Sequence, residues 1–362
     1  MEGKGKHTKI GKSFGVGVVG LGEGKGVVKG LHGHPELKIQ AVCDTDKTLT
    51  TEIREMFNIP NGYEDINDLL KHKDIHIVLL YTPDQLHVQH IRACFESGKH
   101  VICTKPLVTS QSEAAEIMKI KKQYPHLQLM VGQSSRFFGP MLKQREAYDT
   151  GKLGELSFAE TQYVHDMRWF YNNRPWAREG GFDLLFACAS HPVDLIRWYM
   201  GDVAEVHAFG DRSLIAKDAD FKERDIFTIN LKFENGKIGR VLGLYGLEHL
   251  HQTRPWIEVA LYGNQGTFIA KYPQLQANIK YNNGVEHVEH YFEDIYHYFQ
   301  YEGVNHHAGE FVNYTEYFAR CLVKGETAMP DAVDGFKTMA TLEAARKSMN
   351  ENKAVKVERY VS

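Results

Sequence analysis

The chain has 362 residues, 43% hydrophobic and 25% charged, with a formal net charge of −3. This is an ordinary globular balance. It offers no basic field for nucleic acid or an anionic membrane, and no apolar run reaches the ~18 residues of a membrane span. The length predicts two domains, and five scattered cysteines (Cys43, Cys94, Cys103, Cys188, Cys321) without a C-x-x-C pair predict reduced thiols in a cytoplasm.

Met1 to Lys12 is basic and glycine-rich without an apolar h-region, which reads as a disordered tail. Phe14 to Val19 is a short valine-rich run suited to a strand buried on both faces. The turn Gly20-Leu21-Gly22-Glu23-Gly24-Lys25-Gly26 follows, then Val27, Val28 and Leu31 at helical spacing, then a second β-branched run ending in Asp44. Strand, glycine turn, helix, strand and carboxylate in this order predict a site for a dinucleotide. Gly20 permits the tight turn, Gly22 lets backbone N–H groups approach a pyrophosphate, and the helix N-terminus adds donors and a positive dipole end. Glu23, Gly24 and Lys25 are expected beside the same phosphates. Lys25 takes the sixth position of G-x-G-x-x-G, so either the helix starts one residue later or Lys25 sits near a phosphate. Asp44 can bond an adenosine ribose and would repel a 2′-phosphate, which favours NAD over NADP.

Asp46 caps an expected helix to about Phe57, stopped by Asn58-Ile59-Pro60. Ile75 to Tyr81 reads as a buried strand that turns out through Thr82-Pro83-Asp84. A helix from Leu86 to Ser97, a strand from His100 to Cys103, a helix from Ser110 to Lys122 and a strand from Gln128 to Val131 complete the alternation. Alternating strands and helices predict a doubly wound parallel sheet, the Rossmann arrangement, over 13–135. Its ligands are expected at the carboxyl ends of the strands, where Thr82, Pro83, His87 and Lys105 fall. Beyond a helix ending at Gly151, one strand spans Leu156 to Val164. After a helix near 184–199, strand follows strand: 203–210, 225–233, 238–247, 256–263, 266–271, 275–281 and 286–291. This predicts an α+β domain over 136–362 with an open, mostly antiparallel sheet, closed by helices at about 308–322 and 331–349.

With these residues in hand, the chain resembles the Gfo/Idh/MocA oxidoreductases over nearly its whole length. The resemblance rests on the Gly20/Gly22 turn with Asp44, on Gly98-Lys99-His100-Val101 leading to Thr104-Lys105-Pro106, and on Arg136-Phe137. It also rests on His191-Pro192-Val193-Asp194 with Leu195-Ile196-Arg197-Trp198, and on Asp334-Gly335, Glu343-Ala344-Ala345 and Ser348. It implies an NAD(P)-dependent enzyme acting on sugars, sugar derivatives or polyols. Two positions depart from the pattern: Thr104 stands where the family usually has glutamate, and Ala187 where it often has aspartate.

Lys105, at a strand end before a proline, can bond a substrate hydroxyl and stabilise a developing alkoxide. His191 is the candidate acid/base, since hydride transfer from a carbinol carbon needs the hydroxyl proton to leave. Asp194, three residues on, either orients that ring or points away to a neighbouring backbone. The segment from Gln162 to Arg178 is dense in aromatics and arginines. His165, Arg168, Trp169 and Trp176, with Arg136 and His191, are the expected substrate contacts; the bland alternative is a loop packed on its own domain or another subunit. His249 and His251, or His306-His307 before Glu310, make no recognised ligand pattern, so no metal is expected.

The expected activity is NAD-dependent oxidation of a secondary alcohol on a sugar, cyclitol or glycoside, or the reverse reduction. The alternatives are a redox-neutral lyase or hydrolase that uses tightly bound NAD by transient oxidation, and a non-catalytic NAD-bound sensor. The open sheet leaves one face uncovered, which together with the resemblance predicts a homodimer or homotetramer.

Overall fold

The structure is a computed structural model that describes residues 9–168, 183–248, 250, 255–282, 284–291 and 309–360. The chain divides into two compact units. The first takes Met1–Phe137 and Phe292–Phe336, and the second takes Phe138–Tyr291 and Lys337–Tyr360. The helix Glu310–Lys324, assigned from the sequence to the second domain, thus belongs to the first. The reason is its apolar side: Phe311, Tyr314 and Phe318 are buried in the core of the first unit with Val16, Val18 and Leu79.

The first unit is built on β1 (Phe14–Val19), β2 (Leu37–Cys43), β3 (Asn61–Tyr63), β4 (Ile77–Leu80), β5 (His100–Thr104) and β6 (Leu129–Gly132). All pairs are parallel and the order is β3-β2-β1-β4-β5-β6. Every residue of β1 and β4 is buried, as continuous apolar strands covered on both faces should be. The strand order reverses direction between β1 and β4, so the crevice at their carboxyl ends is the switch point where such sheets bind ligands. β3, a three-residue Asn-Gly-Tyr strand, has no hydrophobic pattern and was not expected. The helix α1 (Leu21–Leu31) starts directly after Gly20, which corrects the later start considered for it. The helix α2 (Lys47–Met56) is capped by Asp46, whose carboxylate accepts the Thr48 and Leu49 N–H groups.

The second unit carries a nine-stranded sheet: β7 (Leu156–Val164), β8 (Val203–Asp211), β9 (Ile226–Phe233), β10 (Ile238–Leu244), β11 (Ile257–Gly263), β12 (Gly266–Tyr272), β13 (Gln276–Tyr281), β14 (His287–His290) and β15 (Val355–Lys356). The order is β14-β13-β12-β11-β7-β10-β9-β8-β15. Only the β7–β10 pair is parallel among these neighbours. Burial alternates along β9 and β10, the mark of a sheet packed on one face. The helix expected at 184–199 is two pieces, Leu184–Ala187 and Ser190–Met200. The second lies on β7, where the Thr161 hydroxyl donates to the Pro192 carbonyl at 2.8 Å. Among the described residues, no helix is long and apolar enough to cross a membrane.

Candidate active site

The glycine turn divides its labour among three positions. Gly20 has φ +87°, and a Cβ there would lie 2.6 Å from the Tyr81 carbonyl oxygen, so the residue between β1 and α1 has to be glycine. Gly24 is buried, and its missing Cβ lets α1 close onto Val18 and the Tyr81 ring, each 3.0 Å from where that atom would stand. This is the close helix–sheet packing that a third glycine supplies in such turns; the Gly24 N–H is already bonded to the Gly20 carbonyl at 3.1 Å, which corrects Gly24 from a phosphate contact to a packing residue. Gly22 is different. It is exposed in the first turn of α1, and a Cβ there would meet nothing within 4 Å. The fold does not need that glycine, whereas a pyrophosphate held on the N–H groups of the helix N-terminus does. Glu23 and Lys25 are exposed on the same helix.

Asp44, directly after β2, accepts the Leu21 N–H at 2.6 Å and the Asp46 N–H at 2.9 Å. A carboxylate offers about four lone-pair directions, so two remain for ribose hydroxyls. The residues present therefore fit NAD: Gly22 leaves room for the pyrophosphate and Asp44 brings a negative charge.

After β4, Pro83 is exposed and the Thr82 hydroxyl lies 3.1 Å from the His90 Nδ1 atom. His87 is 1% exposed. Its ring nitrogens face the carbonyls of Thr82, at 2.9 Å, and Leu107, at 3.3 Å. Burial is the main cause that lowers its pKa, against the opposing pull of these carbonyls, so the ring is neutral and donates to one of them. A side chain with no open surface cannot touch a cofactor, and the expectation of a direct contact is corrected: His87 ties the Thr82 turn to the loop behind Lys105. Lys105 is half-buried at the carboxyl end of β5, before a cis peptide bond to Pro106, and Thr104 closes the strand. Arg136, expected at the substrate, is 3% exposed and pairs with Asp334 at 2.7 Å within the same unit. Its charge is already met, which makes it a structural partner of Asp334.

In the second unit, His191 stands in the first turn of the helix Ser190–Met200, 8% exposed. Pro192 begins this helix rather than kinking it, in the turn where no backbone donor is required. The His191 ring meets Tyr163 edge-on, with centroids 5.9 Å apart. Tyr163 also stacks with His165 at 6.0 Å, and His165 lies 4.1 Å from Trp256. Tyr163, at the carboxyl end of β7, thus touches both expected histidines, although it was not among the expected contacts. Its signal in the sequence was position: Tyr163 and His165 are two apart and share a strand face. Aromatic faces beside an imidazole suit the apolar face of a sugar or cyclitol ring.

Asp194 is fully buried and one carboxylate oxygen accepts from the Thr338 hydroxyl at 3.4 Å; Thr338 in turn accepts from Arg197 at 2.8 Å. Arg168 is committed to two carboxylates, Asp166 at 2.6 Å and Glu248. Burial raises the Asp166 carboxyl, but the bonds from Arg168 outweigh it and hold the group below its ordinary range. These two carboxylates engage four of the five Arg168 N–H groups, so the side chain is held in place by them first. Trp169 and Trp176, and the histidines His249, His251, His306 and His307, lie outside the described residues.

Two family models match. One, described as an oxidoreductase family with an NAD-binding Rossmann fold, covers residues 14–133; the other, the C-terminal alpha/beta domain of the same oxidoreductase family, covers 145–357. A 1-carboxy-3-chloro-3,4-dihydroxycyclohexa-1,5-diene dehydrogenase of Comamonas testosteroni is 28% identical over 62% of this chain, and the match spans 56% of that protein. A myo-inositol 2-dehydrogenase of Thermotoga maritima is 22% identical over 96% of this chain and 99% of its own. Among solved structures, a levoglucosan dehydrogenase in complex with NADH and levoglucosan superposes with a TM-score of 0.82 at 19% identity, covering 96% of this chain and 100% of that one, and its complexes with NADH alone and with NADH and L-sorbose give 0.81.

Proposed function

The chain belongs to the Gfo/Idh/MocA oxidoreductase family, and on that premise we propose that it oxidises a secondary alcohol of a sugar, cyclitol or related glycoside, or catalyses the reverse reduction. The observation that carries the reading is Gly22, a glycine the fold does not require, set beside the carboxylate of Asp44. NAD bound there supplies the hydride acceptor. Lys105 bonds the substrate oxygen and stabilises it as it becomes an alkoxide. His191 takes the hydroxyl proton, and an imidazole suits this because its unperturbed pKa lies close to neutral pH. Tyr163, His165 and Trp256 offer ring faces to the substrate body. Two relatives are named for myo-inositol and levoglucosan, both ring compounds with several hydroxyls, which supports the substrate class.

The test is a panel of cyclitols and sugars incubated with NAD while NADH absorbance and product are followed together. NADH formed in proportion to product supports the dehydrogenase. Many turnovers without net NADH point to the redox-neutral reading, and NAD binding without turnover on any substrate points to the sensor. We further propose a homodimer or homotetramer formed through the sheet of the second unit; light scattering that gives a monomer at micromolar concentration contradicts it.

A further inference from the structure

Away from the glycine turn, at the amino-terminal edge of the first sheet, lies a cavity of about 570 Å³. Phe14 opens β1, His100 opens β5 and Leu129 opens β6, and all three line it, so it sits at the edge opposite the switch point. Its volume falls within the range of about 300–1,000 Å³ usual for small-molecule sites. The charged side chains of its lining are all of one sign or neutral: Lys12, Lys121, His100 and His126, with no aspartate or glutamate. Among the described residues, Lys12, Lys121 and His126 form no ion pair.

Two helix carboxyl ends, those of Gln111–Gln123 and Glu310–Lys324, border the cavity and bring negative dipole ends. Each is worth about half an elementary charge, so together they offset one of the two lysines. A positive balance remains. The His100 ring adds no charge to it, because burial first, then the fields of His126, His76 and Lys12, push it down to about 4. His100 Nδ1 accepts the Gln128 N–H at 3.1 Å, so its neutral ring carries the proton on Nε2 as a donor. Phe14 and Leu129 give the same cavity an apolar wall.

We propose that this cavity is a second ligand site, for a small phosphorylated metabolite whose phosphate meets Lys12, Lys121 and His126 and whose body rests on Phe14 and Leu129. The phosphate supplies the charge these side chains lack, and the volume admits a monophosphate with one ring. The site lies wholly within the first unit and shares no residue with the NAD cradle.

The experiment uses the full chain with NAD saturating, so that the glycine turn cannot take up phosphate. Calorimetric titration with a hexose monophosphate and with inorganic phosphate is expected to give saturable binding, tighter for the hexose monophosphate. The Lys12→Gln/Lys121→Gln double variant is expected to weaken both by at least about tenfold, with NAD affinity unchanged, and that unchanged affinity also reports that the unit is folded. The Lys12→Arg/Lys121→Arg variant, which keeps both charges, should retain binding. Absence of saturable binding to the wild-type chain, or equal affinity in the wild type and the glutamine variant, overturns the proposal.

Discussion

Asp44 accepts the backbone N–H of Leu21 at 2.6 Å, so the acid at the tip of β2 also caps the first residue of α1. One side chain holds the turn in place and sets the charge that a cofactor ribose meets. The two roles separate by substitution. NAD should bind at least about tenfold more tightly than NADP, or about 1.4 kcal/mol. Asp44→Asn keeps one acceptor, for Leu21, and loses the charge and the bond to Asp46, so it should narrow that gap at a smaller cost in stability than deletion of the side chain. Asp44→Ala should narrow it and also lower stability by about 1 kcal/mol, the usual worth of such a cap. Calorimetric titration of both cofactors and a denaturant midpoint decide the matter; a wild type that prefers NADP sinks the role given to Asp44.

The glycines give a sharper contrast. Gly22→Ala adds a methyl group in open space on a helix, so the chain without cofactor should melt no lower, and gain up to about 1 kcal/mol. Its stabilisation by added NAD should fall steeply. Gly20→Ala forces a side chain onto φ +87° and against the Tyr81 carbonyl, and should cost at least about 1–3 kcal/mol before any cofactor is added. Thermal melts with and without NAD read both; a normal NAD shift in Gly22→Ala contradicts the cradle.

On a verified substrate, His191→Ala should lower kcat by roughly 10²–10⁴-fold, the usual contribution of a general acid or base, with NAD affinity unchanged. Lys105→Ala should do the same and raise KM. Full turnover by both variants means the site is misassigned.

Asp194 lies buried against Thr338, which gives it a structural duty whatever else it does. Asp194→Ala should cost about 1–3 kcal/mol, because it deletes a buried acceptor in the Thr338–Arg197 network. Asp194→Asn separates the roles. A shifted pH–rate profile shows that the carboxylate also orients His191, whereas an unchanged profile with reduced stability leaves it structural only.

Acid should destabilise the chain through His100. Its folded pKa is depressed from 6.5 to about 4, so between these values the unfolded chain binds the extra proton and folding stability falls as pH drops. His87 and His90, also depressed mainly by burial, act in the same direction. His100→Gln should flatten the decline in melting temperature between pH 6.5 and about 4; an identical decline in the variant contradicts the assignment.

Much of this was written in local pattern. The strands of both sheets show themselves because β1 and β4 are continuous apolar runs and β9 and β10 alternate strictly. Asp46 and the Ser110–Glu113 capping box mark helix starts by chemistry that needs only neighbours in the chain. What stayed hidden depends on partners far along the sequence. Nothing around Arg136 announces Asp334, and nothing around His87 announces Leu107. Gly22 and Gly24 are the same residue two positions apart, and only the packing of Tyr81 and Val18 tells them apart. β3 escaped because it is held by backbone pairing to β2, with no hydrophobic pattern of its own.

The helix Glu310–Lys324 completes a core that begins at Ile10, and the whole sheet of the second unit, save its last short strand, is encoded in between. During synthesis at roughly 5–20 residues per second, the ribosome adds Phe311 roughly 9–35 s after Phe137. For that interval the nascent Rossmann sheet lacks Phe311, Tyr314 and Phe318, and its uncovered apolar surface is open to chaperones and to neighbouring chains. The same order means that a fragment cut after residue 137 is a half-clad sheet rather than a portable domain, and that the sheet translated before the second unit is finished only after it.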